Sequence, residues 1–213
     1  MMTKAVQQFM LGTVLNTEAQ VRDTLKKMKE VGYDGIELCS FMIHPTPFVV
    51  KLLTKAAGMP VGNGGKLDWV SLIREAGMKV PAIHQYLDAI EKDPEAAVAE
   101  CTAFSTDTVV ITGMYRFDYT DRVKVLELAK RLNQTGSILK QSGIRLLYHN
   151  HNAEFLLVQR GCSAYRLLQQ ETNPEMVNFE FDSYWCADTG VDSLREMQRL
   201  GISPSHASFF GSI

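Results

Sequence analysis

Long apolar runs are missing from this 213-residue sequence; none approaches the roughly 18 residues of a membrane-crossing helix. The amino terminus, Met1-Met2-Thr3-Lys4-Ala5-Val6, reads as lacking the apolar core and the cleavage site of a secretory signal. There is no basic block. Lys and Arg number 22 against 24 Asp and Glu, net −2, so the footprint of a phosphate-backbone partner is lacking. The four cysteines, Cys39, Cys101, Cys162 and Cys186, form no C-x-x-C pair. Reduced thiols in a cytoplasmic protein are the simplest reading. Cys39 and Cys186 fall just beyond expected strand ends, where each is either a small hydrophobe or a pocket lining. No G-x-G-x-x-G follows the first apolar stretch and no Walker loop occurs, which removes the commonest nucleotide-binding loops. What remains is 46% hydrophobic and 22% charged, enough for a substantial globular core.

Strand and helix patterns alternate along the chain. Val6 to Thr13 reads as a strand. Thr17 is an N-cap with Gln20 three residues on, a capping box, and Val21, Leu25 and Met28 give the helix an apolar stripe up to Gly32. Gly35 to Cys39 is the second strand. Between Phe41 and Leu67 the pattern is weakest; a short helix is expected over Phe48 to Ala57 and a mobile loop at Gly62-Asn63-Gly64-Gly65. Asp68 caps a helix to Ala76, and Met78 to His84 is the third strand. Asp93 and Pro94 open the next helix. Thr108 to Gly113, Ile144 to His151 and Val177 to Asp182 are the fourth, fifth and sixth strands. Helices lie between them at Asp121 to Ser142, with a bend at Gly136, and at Ser163 to Glu171. Asp192 caps a last one to Leu200. Such alternation implies an α/β fold with parallel strands and right-handed crossovers.

Polar residues recur where these strands end: Glu37, His84, His149, His151 and Asp182. An open sheet gathers its site at one switch point, whereas a (β/α) barrel draws site residues from many strand ends. The spread favours a TIM-type barrel. His149 and His151 alternate on one strand and so share a face, with Asn150 opposite. Two imidazoles with a carboxylate on a neighbouring strand are a metal or catalytic constellation. Glu180 alternates with Asp182 and is placed to support it from behind.

These stretches, Gly32-Tyr33-Asp34-Gly35-Ile36-Glu37-Leu38, Asp68-Trp69, Glu75-Ala76-Gly77-Met78-Lys79-Val80 to His84, Tyr148-His149-Asn150-His151 with Glu154-Phe155, and Phe181-Asp182 with Trp185 and Gly190-Val191-Asp192, occur in an order that resembles the sugar phosphate isomerase/epimerase group of the xylose-isomerase-like TIM-barrel superfamily. The resemblance covers roughly residues 5 to 200 and is not specific to a substrate. It implies one domain over 1–213 and a carbohydrate substrate: a sugar, a sugar phosphate or a polyol. It also implies a divalent ion, Mn²⁺ first, with Mg²⁺, Co²⁺ or Zn²⁺ as alternatives. Neither nucleic acid nor membrane is implied as a partner, and homo-oligomers are common in the group. In the family the ion acts as a Lewis acid beside groups that move a proton next to a carbonyl.

Carried over residue by residue, Asp182 matches a metal-binding Asp, and His149 stands where many members have the first metal-binding Glu. His206 would stand in for a histidine of the seventh strand. His149, His151 and Glu154 are the catalytic candidates, and Glu37, His84 and Trp185 the substrate-binding ones. Each has a plainer alternative. His149 and His151 could serve structure, Asp182 could cap a helix, and Glu154 could anchor its own loop. Glu37 could pair with an arginine or orient His84, and Trp185 could be core. A complete barrel takes about 250 residues. About six to seven of its eight strands are expected here, a C-terminally shortened version. Dehydration of an inosose or keto sugar and a non-catalytic remnant are the competing functions. A three-metal DNA-repair endonuclease of the same superfamily would want more than five histidines and a basic groove.

Overall fold

The computed structural model describes residues 3–45, 64–114 and 116–200. The helix expected over Phe48 to Ala57, part of the loop expected at Gly62 to Gly65, and His206 lie outside the described residues. The chain divides into two compact units, one of residues 1–85 with 102–106, the other of 86–101 with 107–213.

The first unit carries parallel strands β1 (Ala5–Gln7), β2 (Gly35–Cys39) and β3 (Ile83–Gln85). Helices α1 (Glu18–Glu30), α2 (Ser40–Ile43) and α3 (Trp69–Glu75) connect them. The capping box of α1 is formed as expected: Gln20 N donates to Thr17 Oγ1 at 3.3 Å, and Thr17 N donates to Gln20 Oε1 at 3.2 Å. Val21, Leu25 and Met28 are its buried stripe. Asp68 caps α3 by accepting from Ser71 N.

Two strands are shorter than their apolar patterns suggest. The first does not run to Thr13 but turns into a 3₁₀ helix at Gln8–Leu11. Gln8 is fully buried, and its Oε1 accepts from Cys39 N at 2.9 Å, so a side chain replaces the strand's own ladder there. The third begins at Ile83 rather than Met78, after an isolated bridge of Lys79 to Gly35. Pro81 lies between and cannot donate to a ladder. Three residues lie between the paired positions Lys79 and Ile83, against two between Gly35 and Leu38 on β2.

The second unit opens with short helices α4 (Leu87–Lys92) and α5 (Pro94–Ala103). Its parallel strands are β4 (Thr108–Thr112), β5 (Arg145–His149) and, after an unforeseen hairpin of β6 (Leu157–Gln159) and β7 (Cys162–Ser163), β8 (Val177–Glu180). The long helix α6 (Arg122–Gln141) buries Val125, Leu128, Ala129, Leu132, Thr135, Gly136 and Leu139, a single helical stripe. Helix α7 (Ala164–Glu171) is capped by Ser163, while α8 (Ser183–Asp188) and α9 (Ser193–Arg199) are capped by Asp182 and Asp192. Tyr165, Phe181, Cys186 and Met197 form a buried cluster among these last elements. Among the described residues no helix is long and apolar enough to cross a membrane.

Gly136 is needed for close approach: a Cβ there would collide with the backbone carbonyl of Met176. The helix continues through it, and the glycine serves packing there. Gly136→Ala is therefore expected to destabilise the chain by about 1–3 kcal/mol despite alanine's better helix propensity, read as a lowered urea midpoint. At the start of β4 and β5, Arg145 Nη2 donates to Asp107 Oδ1 at 2.8 Å and holds the carboxyl below its ordinary value. A depressed carboxyl adds stability that is present above its unfolded pKa and lost on acidification through the folded one. The pair is exposed, so Asp107→Asn should cost no more than about 1 kcal/mol at neutral pH, and nothing in acid.

Candidate metal and active site

Strand β5 is buried on both sides of its second half and ends at His149, one residue pair after Tyr148↔Phe179. His149 stands opposite Glu180 in the ladder, and its Nδ1 lies 2.8 Å from Glu180 Oε1. Both side chains are buried. A carboxylate on Nδ1 fixes the proton there and turns Nε2 forward as a donor atom for an electrophile. Nε2 faces Asp182 Oδ2 at 3.8 Å. That gap is too long for a good hydrogen bond. It is short enough for both atoms to reach one ion at about 2.0–2.2 Å each. An imidazole and a carboxylate are also a suitable donor pair for Mn²⁺, Co²⁺ or Zn²⁺. Glu180, expected behind Asp182, in fact supports His149.

Asp182 lies beyond β8, not within it as the apolar pattern suggests, and is the N-cap of α8. Its Oδ1 accepts from Tyr184 N at 2.8 Å and Trp185 N at 3.1 Å. Burial pushes its carboxyl upward, opposed by the Trp185 N–H, the nearby His149 and the Tyr184 N–H. The expected alternatives for Asp182, ligand or cap, are thus compatible, because each uses a different oxygen.

His151 lies past the end of β5, yet it keeps the expected company: its ring centroid is 4.9 Å from that of His149 and 5.6 Å from Trp185. His151 and Trp185 are half-buried, so this side of the pair is reachable. Gly113 closes the other side. It has φ +55°, and a Cβ there would sit 3.2 Å from His151 Nδ1 and 3.3 Å from Glu154 Oε1. Glu154 is 1% exposed; its Oε2 accepts from His151 N at 2.9 Å and its Oε1 from Tyr148 Oη at 3.0 Å. Tyr148 Oη in turn lies 2.7 Å from Tyr119 Oη, which accepts from Met114 N at 3.1 Å. Since the Tyr148 proton is used on Glu154, Tyr119 donates to Tyr148. Burial, and next the Glu154 charge, push both phenols far up, so each stays a neutral donor.

In the first unit Glu37 and His84 come together. Glu37 Oε2 is 3.3 Å from His84 Nε2, and Gln7 Nε2 is 3.1 Å from the same nitrogen. The three residues stand on β2, β3 and β1, and Glu37 and His84 are buried. Glu37 thus lies beside His84, the neighbour one of its open readings gave it, in a contact that is not a hydrogen bond. Missed by the sequence reading are Asn150, Tyr119, Gln7 and Gln8. Asn150 is fully buried and bonded to the Asp182 backbone in both directions, at 3.0 and 2.9 Å. An amide between two histidines just after an apolar stretch was the available signal for it.

No protein-family model and no curated protein matches the sequence. Solved structures do match. A sugar phosphate isomerase/epimerase from Parabacteroides distasonis aligns over 96% of this chain and 72% of its own, at TM-score 0.73 and 18% identity. The probable 3-DHS dehydratase AsbF from Bacillus anthracis aligns over 98% of this chain and 72% of its own, at TM-score 0.66 and 13% identity. The IolI protein, solved with a binding zinc atom, aligns over 94% and 70%, at TM-score 0.60 and 13% identity. The expected α/β class and the resemblance to the isomerase/epimerase barrels are therefore matched in three dimensions, and the chain has the fold of the sugar phosphate isomerase/epimerase proteins over the part of it that it spans.

Proposed function

We propose that this chain is a divalent-metal-dependent isomerase or epimerase that removes a proton next to a carbonyl of a sugar, sugar phosphate or polyol. One observation carries the reading: His149 is held by Glu180 on Nδ1 while its Nε2 faces the Asp182 carboxylate at 3.8 Å. His149 and Asp182 would hold the ion, Mn²⁺ by preference. His206 is a further proposed ligand. Such an ion would polarise the carbonyl and alkoxide oxygens of the substrate. The zinc of the IolI structure and the isomerase/epimerase activity named for the Parabacteroides distasonis structure support this reading.

His151 takes the proton in this proposal. It lies beside His149 on the reachable side, and an imidazole changes charge near neutral pH. Trp185 offers an aromatic face to the C–H side of a sugar ring. Glu154 has both oxygens engaged within the protein and so acts by holding the His151 backbone. Glu37 and His84 are the proposed hydroxyl-binding groups of the first unit. A second reading, loss of water from an inosose or keto sugar, is favoured by an imidazole base where a pair of glutamates would suit epimerisation better.

The test is exchange in D₂O. The Mn²⁺-loaded chain is incubated with a panel of keto sugars and inososes and followed by mass spectrometry and NMR. Deuterium at the carbon next to the carbonyl supports isomerisation or epimerisation, and a product lighter by one water supports the second reading. His151→Ala should slow exchange by at least about 10²-fold with the ion retained. A metal-loaded chain that neither exchanges nor converts any member of the panel would overturn the proposal.

A further inference from the structure

We propose that Asn150 is a positioning residue: its side-chain amide adds one rung to the β5–β8 ladder and thereby sets Asp182 at its distance from His149. The inference rests on the metal reading above. Backbone pairing between these strands runs from Leu146↔Val177 to His149↔Glu180 and stops there. Asp182 leaves the strand to cap α8, so its N–H needs a partner outside the ladder, and its C=O, which accepts from Cys186 N at 3.3 Å, takes a second donor. Asn150 supplies both. Its Nδ2 donates to Asp182 O at 3.0 Å, and its Oδ1 accepts from Asp182 N at 2.9 Å.

A carboxamide is the side-chain copy of a peptide group, with a donor and an acceptor side by side. An aspartate at 150 would turn an oxygen toward the Asp182 carbonyl, and an alanine would leave both backbone groups without it. The rung is dry, since Asn150 is 0% and Asp182 3% exposed. Water therefore does not readily replace a lost bond.

Three restraints then meet on Asp182. The Asn150 amide holds its backbone, the Tyr184 and Trp185 amides hold Oδ1, and Oδ2 is left directed at His149 Nε2. The facing imidazole is held by Glu180. Ligand atoms must be placed to within about 0.5 Å for tight binding. Asn150 is also the residue between His149 and His151, so the amide that fixes Asp182 anchors the backbone of both imidazoles. Its role is to preset the pair, and it touches neither ion nor substrate.

The experiment is a Mn²⁺ titration, read by the EPR signal of the free ion, on the full chain and on Asn150→Ala and Asn150→Asp. Circular dichroism checks folding, and the ¹⁵N-indole NMR signal of Trp185, assigned with Trp185→Phe, reports the metal-free geometry of the Asp182 turn. Both variants should bind Mn²⁺ about 10–100-fold more weakly while folded, and the indole signal should shift before metal is added. Asn150→Asp keeps one of the two bonds and serves if Asn150→Ala does not fold. Folded variants that bind as tightly as the parent, with an unmoved indole signal, overturn the proposal. If the parent itself binds no Mn²⁺, the metal reading fails separately. The indole signal then decides the positioning role: a shift in the metal-free variants supports it and no shift sinks it.

Discussion

Asp182→Asn is expected to strip the chain of its ion and leave the fold standing. The substitution separates the two oxygens of this side chain. Oδ1 caps α8 through Tyr184 N and Trp185 N, and asparagine caps about as well as aspartate. The change therefore falls on Oδ2, where an amide NH₂ would face His149 Nε2 in place of a carboxylate oxygen. A metal gains nothing from that donor. Asp182→Ala removes the cap as well and should cost about 1 kcal/mol of stability besides the ion. Glu180→Gln is the milder partner change. The glutamine oxygen still accepts from His149 Nδ1, but the charge that strengthens the imidazole as a ligand is gone, so affinity should fall about 10–100-fold. Metal content after Mn²⁺ loading and desalting, beside urea unfolding of the metal-free proteins, distinguishes these cases. About one ion per parent chain and none in Asp182→Asn at unchanged unfolding midpoint is the expected pattern. Equal retention by Asp182→Asn would remove Asp182 from the ligand set.

Features set by near neighbours in sequence were legible. The Thr17–Gln20 capping box, the Asp68 and Asp192 caps, the apolar stripe of α1 and the start and stop of α6 depend on contacts within a few residues, and all are formed. His149, His151 and Asp182 could be singled out because a polar residue closing an apolar strand has few structural reasons to be there. What the sequence hid is what other parts of the chain impose. Gln8 ends β1 early because Cys39, on another strand, needs its side-chain oxygen. Pro81 delays β3 because it has no N–H to give. Alternation places Asn150 on the face opposite His149 and His151. Its amide instead joins the ladder toward Asp182, a partner 32 residues away. Alternation with Asp182 places Glu180 near the pair, but its bond to His149 follows from the register opposite that residue, which cannot be read from one strand alone.

Glu154→Ala is expected to produce the largest loss of stability among changes near the site, about 3–5 kcal/mol. The reason lies in the direction of the hydrogen bonds. Met114 N–H donates to Tyr119, Tyr119 to Tyr148 and Tyr148 to Glu154 Oε1, while His151 N–H donates to Oε2. Every proton in the chain points at the carboxylate. Removing it leaves the Tyr148 hydroxyl and the His151 N–H without their acceptor in a buried place, at about 1–3 kcal/mol each, and leaves a small void. Glu154→Gln does not escape the problem. If the amide oxygen takes the Tyr148 proton, the NH₂ confronts the His151 N–H. If the amide is turned over, Tyr148 must donate to Tyr119. Tyr119 already accepts from Met114 and then holds a proton with no acceptor in the chain. One misplaced donor remains in either arrangement, so about 1–3 kcal/mol is expected. Tyr148→Phe should cost about 1 kcal/mol, since Tyr119 loses its 2.7 Å partner but keeps the Glu154 carboxylate within reach of its proton. Tyr119→Phe should cost least of the four, because Tyr148 still delivers its own proton to Glu154. Urea unfolding of the four variants checks the order. A Glu154→Gln protein as stable as the parent would mean that the bonds do not run toward the carboxylate. The His151 loop would then owe its placement to Gly113 and Trp185, whose close contacts with its ring do not involve the chain.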